Sequence, residues 1–397
     1  MSKMSRRDFL GLMAGAAGAG WHSGCRILNP LKDAGTYSVA LLGDTHFDST
    51  DTKKYHAEYL TDTSKARYEL HLKEHVRNAD MWADRMPRLL KASGACVQSD
   101  TAFALQMGDL VQGDCANPAV HKQMLADMLR RAKDTYHELP FVTVVGNHDI
   151  RGTGALKAYD EMMPPVMAAE LKCPVTETTF AFRQGPDAYI VVDFNAPRPD
   201  VALLKRLLAE SADARYVFVV SHGPAIPNCC GRWFLLGNPK YDANRREIRS
   251  LMAARNAIVL AGHTHCLEYY DCTFPEGRIT QFVANSVWTS DDAAKLTVRD
   301  EGAAMYGRRA TAMKRRYGRE ISKTMRASLL RLADEYRPYV KDYLFANAAG
   351  HYRLEVSDAR VAVHFFSGDA TSPTRTFVLR QTQTVASSAE RPVDLLA

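Results

Sequence analysis

Gly43-Asp44-Thr45-His46 closes the short apolar run 38–42. The same arrangement recurs at Gly108-Asp109, Gly146-Asn147-His148-Asp149, Ser221-His222-Gly223 and Gly262-His263-Thr264-His265, after the runs 103–107, 141–145, 216–220 and 258–261. Such runs read as buried strands whose ends carry polar groups. Helical patterns at 74–92, 119–136, 200–210 and 243–254 alternate with them, so the fold class is α/β. Open α/β sheets bind ligands beyond the carboxyl ends of their strands, which is where these polar residues fall. Further strand-like runs at 178–183, 188–193, 267–271 and 279–284 are more than one doubly wound layer needs. A two-sheet sandwich flanked by helices accommodates them.

Taken singly, each block has an ordinary explanation, because Asp and Asn cap helices or make turns and a histidine beside glycine is commonly a turn residue. Five blocks of carboxylate, carboxamide and imidazole donors, each after an apolar run, point instead to a metal-ligand set. Asp44 and His46 are two apart, as are His263 and His265, so in extended backbone each pair projects to one side. The glycines let backbone and ligands approach closely. Five of the 13 histidines lie in these segments, more than scattered placement would bring there.

In this order the five blocks resemble the calcineurin-like metallophosphoesterase superfamily, over roughly residues 38–290. The resemblance implies a four-layer αββα sandwich of two mixed β-sheets flanked by helices, with two divalent metal ions (manganese, iron or zinc) at the strand ends. It places Asp44, His46 and His265 on one ion, Asn147, His222 and His263 on the other, and Asp109 between them. His148 matches the catalytic histidine of the family.

The chemistry is coherent with that assignment. A phosphoester resists attack through its negative charge; two cations about 3.5–4 Å apart offset that charge and acidify a bound water. An imidazolium beside the phosphate stabilises charge or protonates the leaving oxygen, the role expected of His148. Asp149 is read as orienting its loop. Protein serine/threonine phosphatases extend the Gly-Asp block with aspartate and arginine, whereas Gln112 and Gly113 stand here, and the later block ends in Asp149. Phosphoproteins are therefore disfavoured as substrates, and the usual carboxylate partner of the catalytic histidine is missing. Asp114 is a candidate substitute. Arg151 either touches phosphate or makes a surface salt bridge, the commoner fate of an arginine.

The remaining chain is read from composition. Apolar residues at 46% and charged residues at 24% are ordinary for a globular protein and argue against disorder or a polytopic membrane protein. Ser5-Arg6-Arg7-Asp8-Phe9-Leu10 and the small apolar run 11–20 resemble a twin-arginine export signal, giving an export leader over 1–24. Ser23-Gly24-Cys25 resembles a lipoprotein box with His22 out of place, so a membrane tether through Cys25 is an expectation and the location is periplasmic or otherwise outside the cytoplasm. The eight cysteines show no Cys-x-x-Cys pairing; Cys266 and Cys272 either pair or stay as free thiols.

A metallophosphoesterase domain is assigned to 37–290 and a C-terminal module or extension to 291–397, with a helix and a β-hairpin at 352–356 and 361–366. Met313, Tyr317, Ile321, Met325, Leu329, Leu332 and Tyr336 form one apolar helical face, ended by Pro338. The opposite face carries Arg315, Arg316, Arg319, Lys323, Arg326 and Arg331, interspersed with Glu320, Asp334 and Glu335. It reads as solvated, and with a net charge of only +6 nucleic acid is not the expected partner. The expected function is an exported phosphoesterase for a small phosphate ester, first a phosphodiesterase, with a phosphomonoesterase or a catalytically silent binding protein as alternatives. Trp233 and Phe234 either line its pocket or cover the core.

Overall fold

The computed structural model describes residues 35–51, 53–56, 65–195, 200–227, 239–308 and 323–382. The leader with Arg6, Arg7 and Cys25, the loop holding Cys229, Cys230, Trp233 and Phe234, and the first part of the basic helix lie outside them.

Strand β1 (Tyr37–Leu42) is buried at every position. Both faces of such a strand must be covered, which suits the centre of a sheet. It pairs in parallel with β2 (Thr101–Gln106), which pairs in parallel with β3 (Phe141–Thr143). On its other side it pairs antiparallel with β12 (Gly350–Val356), followed outward by β13 (Arg360–Ser367) and β14 (Arg375–Gln381).

The second sheet has eight strands in the order β10-β11-β8-β9-β7-β6-β5-β4. They are β4 (Phe180–Gln184), β5 (Asp187–Val192), β6 (Val217–Ser221), β7 (Ile258–Ala261), β8 (Leu267–Phe274), β9 (Gly277–Val283), β10 (Thr297–Glu301) and β11 (Val340–Asn347). Strands β5, β6, β7 and β9 run parallel, and the others are antiparallel to their neighbours.

Inner-face residues of both sheets, among them Val39, Leu41, Phe103, Leu105, Tyr189, Phe218, Leu260, Phe282, Tyr352 and Leu354, share one core. At the amino-terminal edge Tyr37 ties the sheets together, its hydroxyl donating to Asp187 Oδ2 at 2.8 Å and meeting the Tyr189 hydroxyl at 2.9 Å. Helices α1 (Lys65–Asp80), α2 (Met86–Ala95), α3 (Pro118–Tyr136) and α4 (Ala155–Leu171) belong to the first sheet's side, with α3 and α4 against β3 and α2 against β12. Helices α5 (Val201–Glu210), α6 (Asp242–Ala254) and α8 (Lys323–Tyr336) bury a second core against the larger sheet, and the short α7 (Asp291–Ala294) precedes β10. The layers are thus αββα.

One expectation changes, two open readings are decided and one helix is added. Residues 340–381 are not a separate module: β11 lies inside the larger sheet and β12 pairs with central β1, so the C-terminal extension completes both layers. Helix α4 was not read from the sequence because Pro164 and Pro165 interrupt its pattern. Cys266 and Cys272 are not joined to each other. The segments of Asp44–His46 and His263–His265 lie outside the strands, and His46, His263 and His265 have φ of 42°, 73° and 55°, so left-handed turns rather than extended backbone direct these side chains. In the described part of α8 the apolar stripe is buried as expected, at Leu329, Leu332 and Tyr336.

Candidate metal centre

The carboxyl ends of β1, β2, β3, β6 and β7 open on one edge, and the loops that follow them are stitched together across the sandwich. Thr45 and His46 donate backbone N–H groups to the Asp109 carbonyl at 3.1 and 2.9 Å. The Gly262 N–H reaches the His222 carbonyl at 3.0 Å, and the His263 N–H reaches Asp44 Oδ1 at 2.8 Å. Two glycines make this approach feasible. A Cβ on Gly146 would run into the backbone nitrogen and carboxylate of Asp109, and one on Gly108 would sit 2.7 Å from His222 Nδ1.

Two donor groups result, sharing Asp109. One is Asp44, His46, Asp109 and His265; the other is Asp109, His222 and His263. His265 Nε2 lies 3.0 Å from Asp44 Oδ2 and 2.9 Å from His46 Nε2. His222 Nε2 lies 3.2 Å from both Asp109 Oδ2 and His263 Nδ1. Asn147 sits beside them, its Oδ1 buried and without a hydrogen-bond partner, while the next N–H, of His148, donates to Asp109 Oδ1 at 2.7 Å.

The outer nitrogens explain why these contacts need a cation. His222 Nδ1 is 2.7 Å from the Met107 carbonyl, which can only accept, so in the neutral ring the proton belongs there and Nε2 carries the lone pair. His46 Nδ1 is likewise engaged, at 3.2 Å, by Gln112 Oε1, which already accepts from Asn78 Nδ2. Lone pairs then face carboxylates and one another across the centre, an arrangement that repels unless positive charge stands between them. Ligating histidines are held in this way, with the second ring N–H on a carbonyl. The field favours positive charge here, supplied by a second proton when no ion is bound: burial pulls the His222 imidazole down, but Asp109 and Asp44 outweigh it and hold it at about 9. Asp109 is kept well below the carboxylate range, His222 and His148 overcoming its burial.

Strain collects here as well. Among the described residues eight that are not glycine have positive φ, and four of them are His46, Asp109, His263 and His265. Such backbone costs about 1–3 kcal/mol per residue and persists where the surroundings enforce it.

His148 stands beside the donors, its ring edge-on to His46 at 4.5 Å between centroids. Its Nδ1 is 3.1 Å from the Gln112 carbonyl and its Nε2 is 3.2 Å from Arg151 Nη1. Burial and Arg151 depress its pKa well below the usual histidine value, against the pull of Asp109. Asp114 is not its partner: that carboxylate, with Glu74, holds the Arg151 guanidinium, through Nε at 2.7 Å and Nη2 at 2.6 Å respectively. A backbone carbonyl occupies the place of the missing carboxylate. Asp149 accepts the Val111 and Gly146 N–H groups at 2.9 and 2.7 Å and so shapes the loop.

Sequence reading missed Glu74, Asn78 and the role of Gln112. The Gln112 amide accepts from Asn78 at 2.6 Å, donates to Glu74 at 3.2 Å and Asp114 at 3.3 Å, and links His46 to the Arg151 anchor. Only the apolar and polar alternation around α1 hinted that one of its faces was buried.

Comparison with known proteins identifies the family and the fold. The description of the calcineurin-like phosphoesterase family matches residues 37–267. Among curated sequences none matches the chain significantly. A solved structure of PhoD superposes with a TM-score of 0.51 at 11% identity, covering 87% of this chain and 69% of that one, a likeness of fold. GAP50, the anchor in the inner membrane complex of Plasmodium, gives a TM-score of 0.47 at 14% identity over 88% and 90% of the two chains. The purple acid phosphatase PPD1 from yellow lupin (Lupinus luteus) seeds gives 0.46 at 9% identity over 86% and 53%. With more than half its length matched by the family, the chain belongs to the calcineurin-like phosphoesterases and is a metal-dependent phosphoester hydrolase.

Proposed function

We propose that the chain hydrolyses phosphodiesters at a two-metal centre. Asp44, His46 and His265 would hold one divalent ion, Asn147, His222 and His263 the other, with Asp109 bridging. The observation that carries this reading is the set of nitrogen lone pairs turned inward on either side of Asp109, with outer ring nitrogens engaged by Met107 and Gln112. Bound there, the metal pair supplies charge neutralisation of the ester and an acidified water.

The chain's own residues do the rest. Asp109 faces both donor groups and sets their spacing. His148, fixed through Nδ1 on the Gln112 carbonyl, presents Nε2 as the atom that passes a proton to the leaving oxygen. Arg151 touches the same nitrogen and meets a phosphoryl oxygen. An anionic ester there gives the protonated ring a counter-charge against Arg151.

A diester is preferred over a monoester on charge. Arg151 is already balanced by Asp114 and Glu74, which suits one negative charge better than two. The test is hydrolysis of bis(p-nitrophenyl) phosphate against p-nitrophenyl phosphate with added manganese. Diester preference in kcat/KM supports the reading; monoester preference replaces it with the phosphomonoesterase. Absence of metal-dependent turnover on either leaves the silent binding protein. Export through the leader is part of the same proposal, and replacement of Arg6 and Arg7 by lysine should abolish it.

A further inference from the structure

Three more donors sit beside this centre without joining it. Asp48 lies two residues past His46, His56 is in the helical segment 53–56, and His75 is on α1; all are buried, with ligand atoms within 4.8 Å of one another. Asp48 Oδ1 is 2.9 Å from His56 Nε2, and Asp48 Oδ2 is 3.2 Å from His75 Nδ1. The two imidazoles overlap with centroids 3.6 Å apart and planes inclined by 31°. In a tetrahedral site with bonds of about 2.0–2.1 Å, neighbouring donors stand about 3.3 Å apart, close to these separations.

Proton counting separates a cation site from a hydrogen-bonded triad. His56 has acceptors at both ring nitrogens, Asp48 Oδ1 at Nε2 and the Asp114 carbonyl 3.3 Å from Nδ1. A neutral imidazole has one N–H and satisfies one of them, so the contact with Asp48 needs a positive charge, either a second proton or a metal ion. With that proton on the carbonyl side, Nε2 turns a lone pair towards a carboxylate oxygen, as His222 does at the other centre. At His75 a ring proton on Nε2, whose nearest polar neighbour is Asp114 Oδ2 at 3.9 Å, likewise leaves Nδ1 with a lone pair 3.2 Å from Asp48 Oδ2.

We propose that Asp48, His56 and His75 bind a third divalent cation of the zinc type, separate from the pair bridged by Asp109. Two imidazoles and a carboxylate are a zinc donor set, with a fourth position open to water. The ion would clamp the helical segment 53–56 to α1, next to the Asp114 that anchors Arg151. None of the three residues belongs to the two-metal proposal, so either can fail alone.

The test is zinc content of the full chain, stripped with chelator, reloaded with zinc chloride alone and desalted. We expect about three zinc ions per wild-type chain and about one fewer in both His75→Gln and His56→Gln, each checked for native circular dichroism. Asp109→Asn should lose zinc while keeping the ion removed by His75→Gln. Cobalt substitution should add an intense tetrahedral visible band that His75→Gln removes and Asp109→Asn retains. Equal zinc content in wild type, His75→Gln and His56→Gln would overturn the third site whatever Asp109→Asn does. An Asp109→Asn protein with undiminished zinc would instead count against the bridged pair. If one histidine variant does not fold, the other decides.

Discussion

At the scale of single residues, the proposed centre would have Asp109 hold metal and Arg151 hold substrate. Asp109 faces both donor groups and accepts the His148 N–H, so Asp109→Asn should lower kcat/KM by at least about 100-fold and reduce bound metal together. A catalytic loss with full metal content would contradict its bridging place. Arg151 is held as a planar fork by Asp114 and Glu74, a geometry that lysine does not reproduce. Arg151→Lys should raise KM for a diester by about 10-fold with a smaller effect on kcat, the mark of lost ground-state binding. A fall in kcat alone would move Arg151 from binding to chemistry. The candidate ligands were legible in the sequence because they fall in five blocks, each after its own strand and each containing a glycine, a local pattern. Glu74 and Asn78 were not, since they reach the centre from α1 through Gln112, a contact with no spacing to betray it.

Elements show the same limit differently. The parallel strands stood out as unbroken apolar runs, but β10, β11 and β14 carry charged residues among apolar ones and α4 carries two prolines, so their periods are diluted. Within β12, His351 gives a test of how tightly the C-terminal strands are packed. Its Nε2 bonds the Ala370 carbonyl at 2.9 Å and its ring stacks on Phe366 at 4.9 Å. Burial pulls it to about 4, against the opposing pull of that carbonyl and Asp369. The unfolded chain takes up this proton at about 6.5 and the folded chain only near 4, so stability falls as pH drops through that window and levels off below it. The gap corresponds to roughly 3 kcal/mol. His351→Gln should flatten the pH dependence of the urea midpoint between these values; an unchanged slope would show that β12 admits solvent at this position.

On the scale of the whole molecule, the decisive feature is that the chain returns to its beginning. β12 lies beside β1 and β11 beside β8, a long-range pairing that no local signal announces. Removal of residues 340–397 should therefore yield protein without cooperative unfolding by circular dichroism; a truncated form that melts cooperatively would contradict the interleaved sheets. For the same reason, truncation cannot test whether the basic helix contacts nucleic acid, and charge-neutralising substitutions on α8 are the appropriate tool. Arg331 in that helix pairs with Asp242 at 2.9 Å, so its charge serves the packing of α8 on α6. Among the described residues no helix is long and apolar enough to cross a membrane.

Electron paramagnetic resonance of the manganese-loaded full chain tests the central claim most directly, because only ions held a few ångströms apart couple their spins. We expect a multiline, exchange-coupled signal at two bound ions that disappears in Asp109→Asn. A spectrum of isolated manganese at every loading, unaltered by that substitution, would contradict a centre bridged by Asp109.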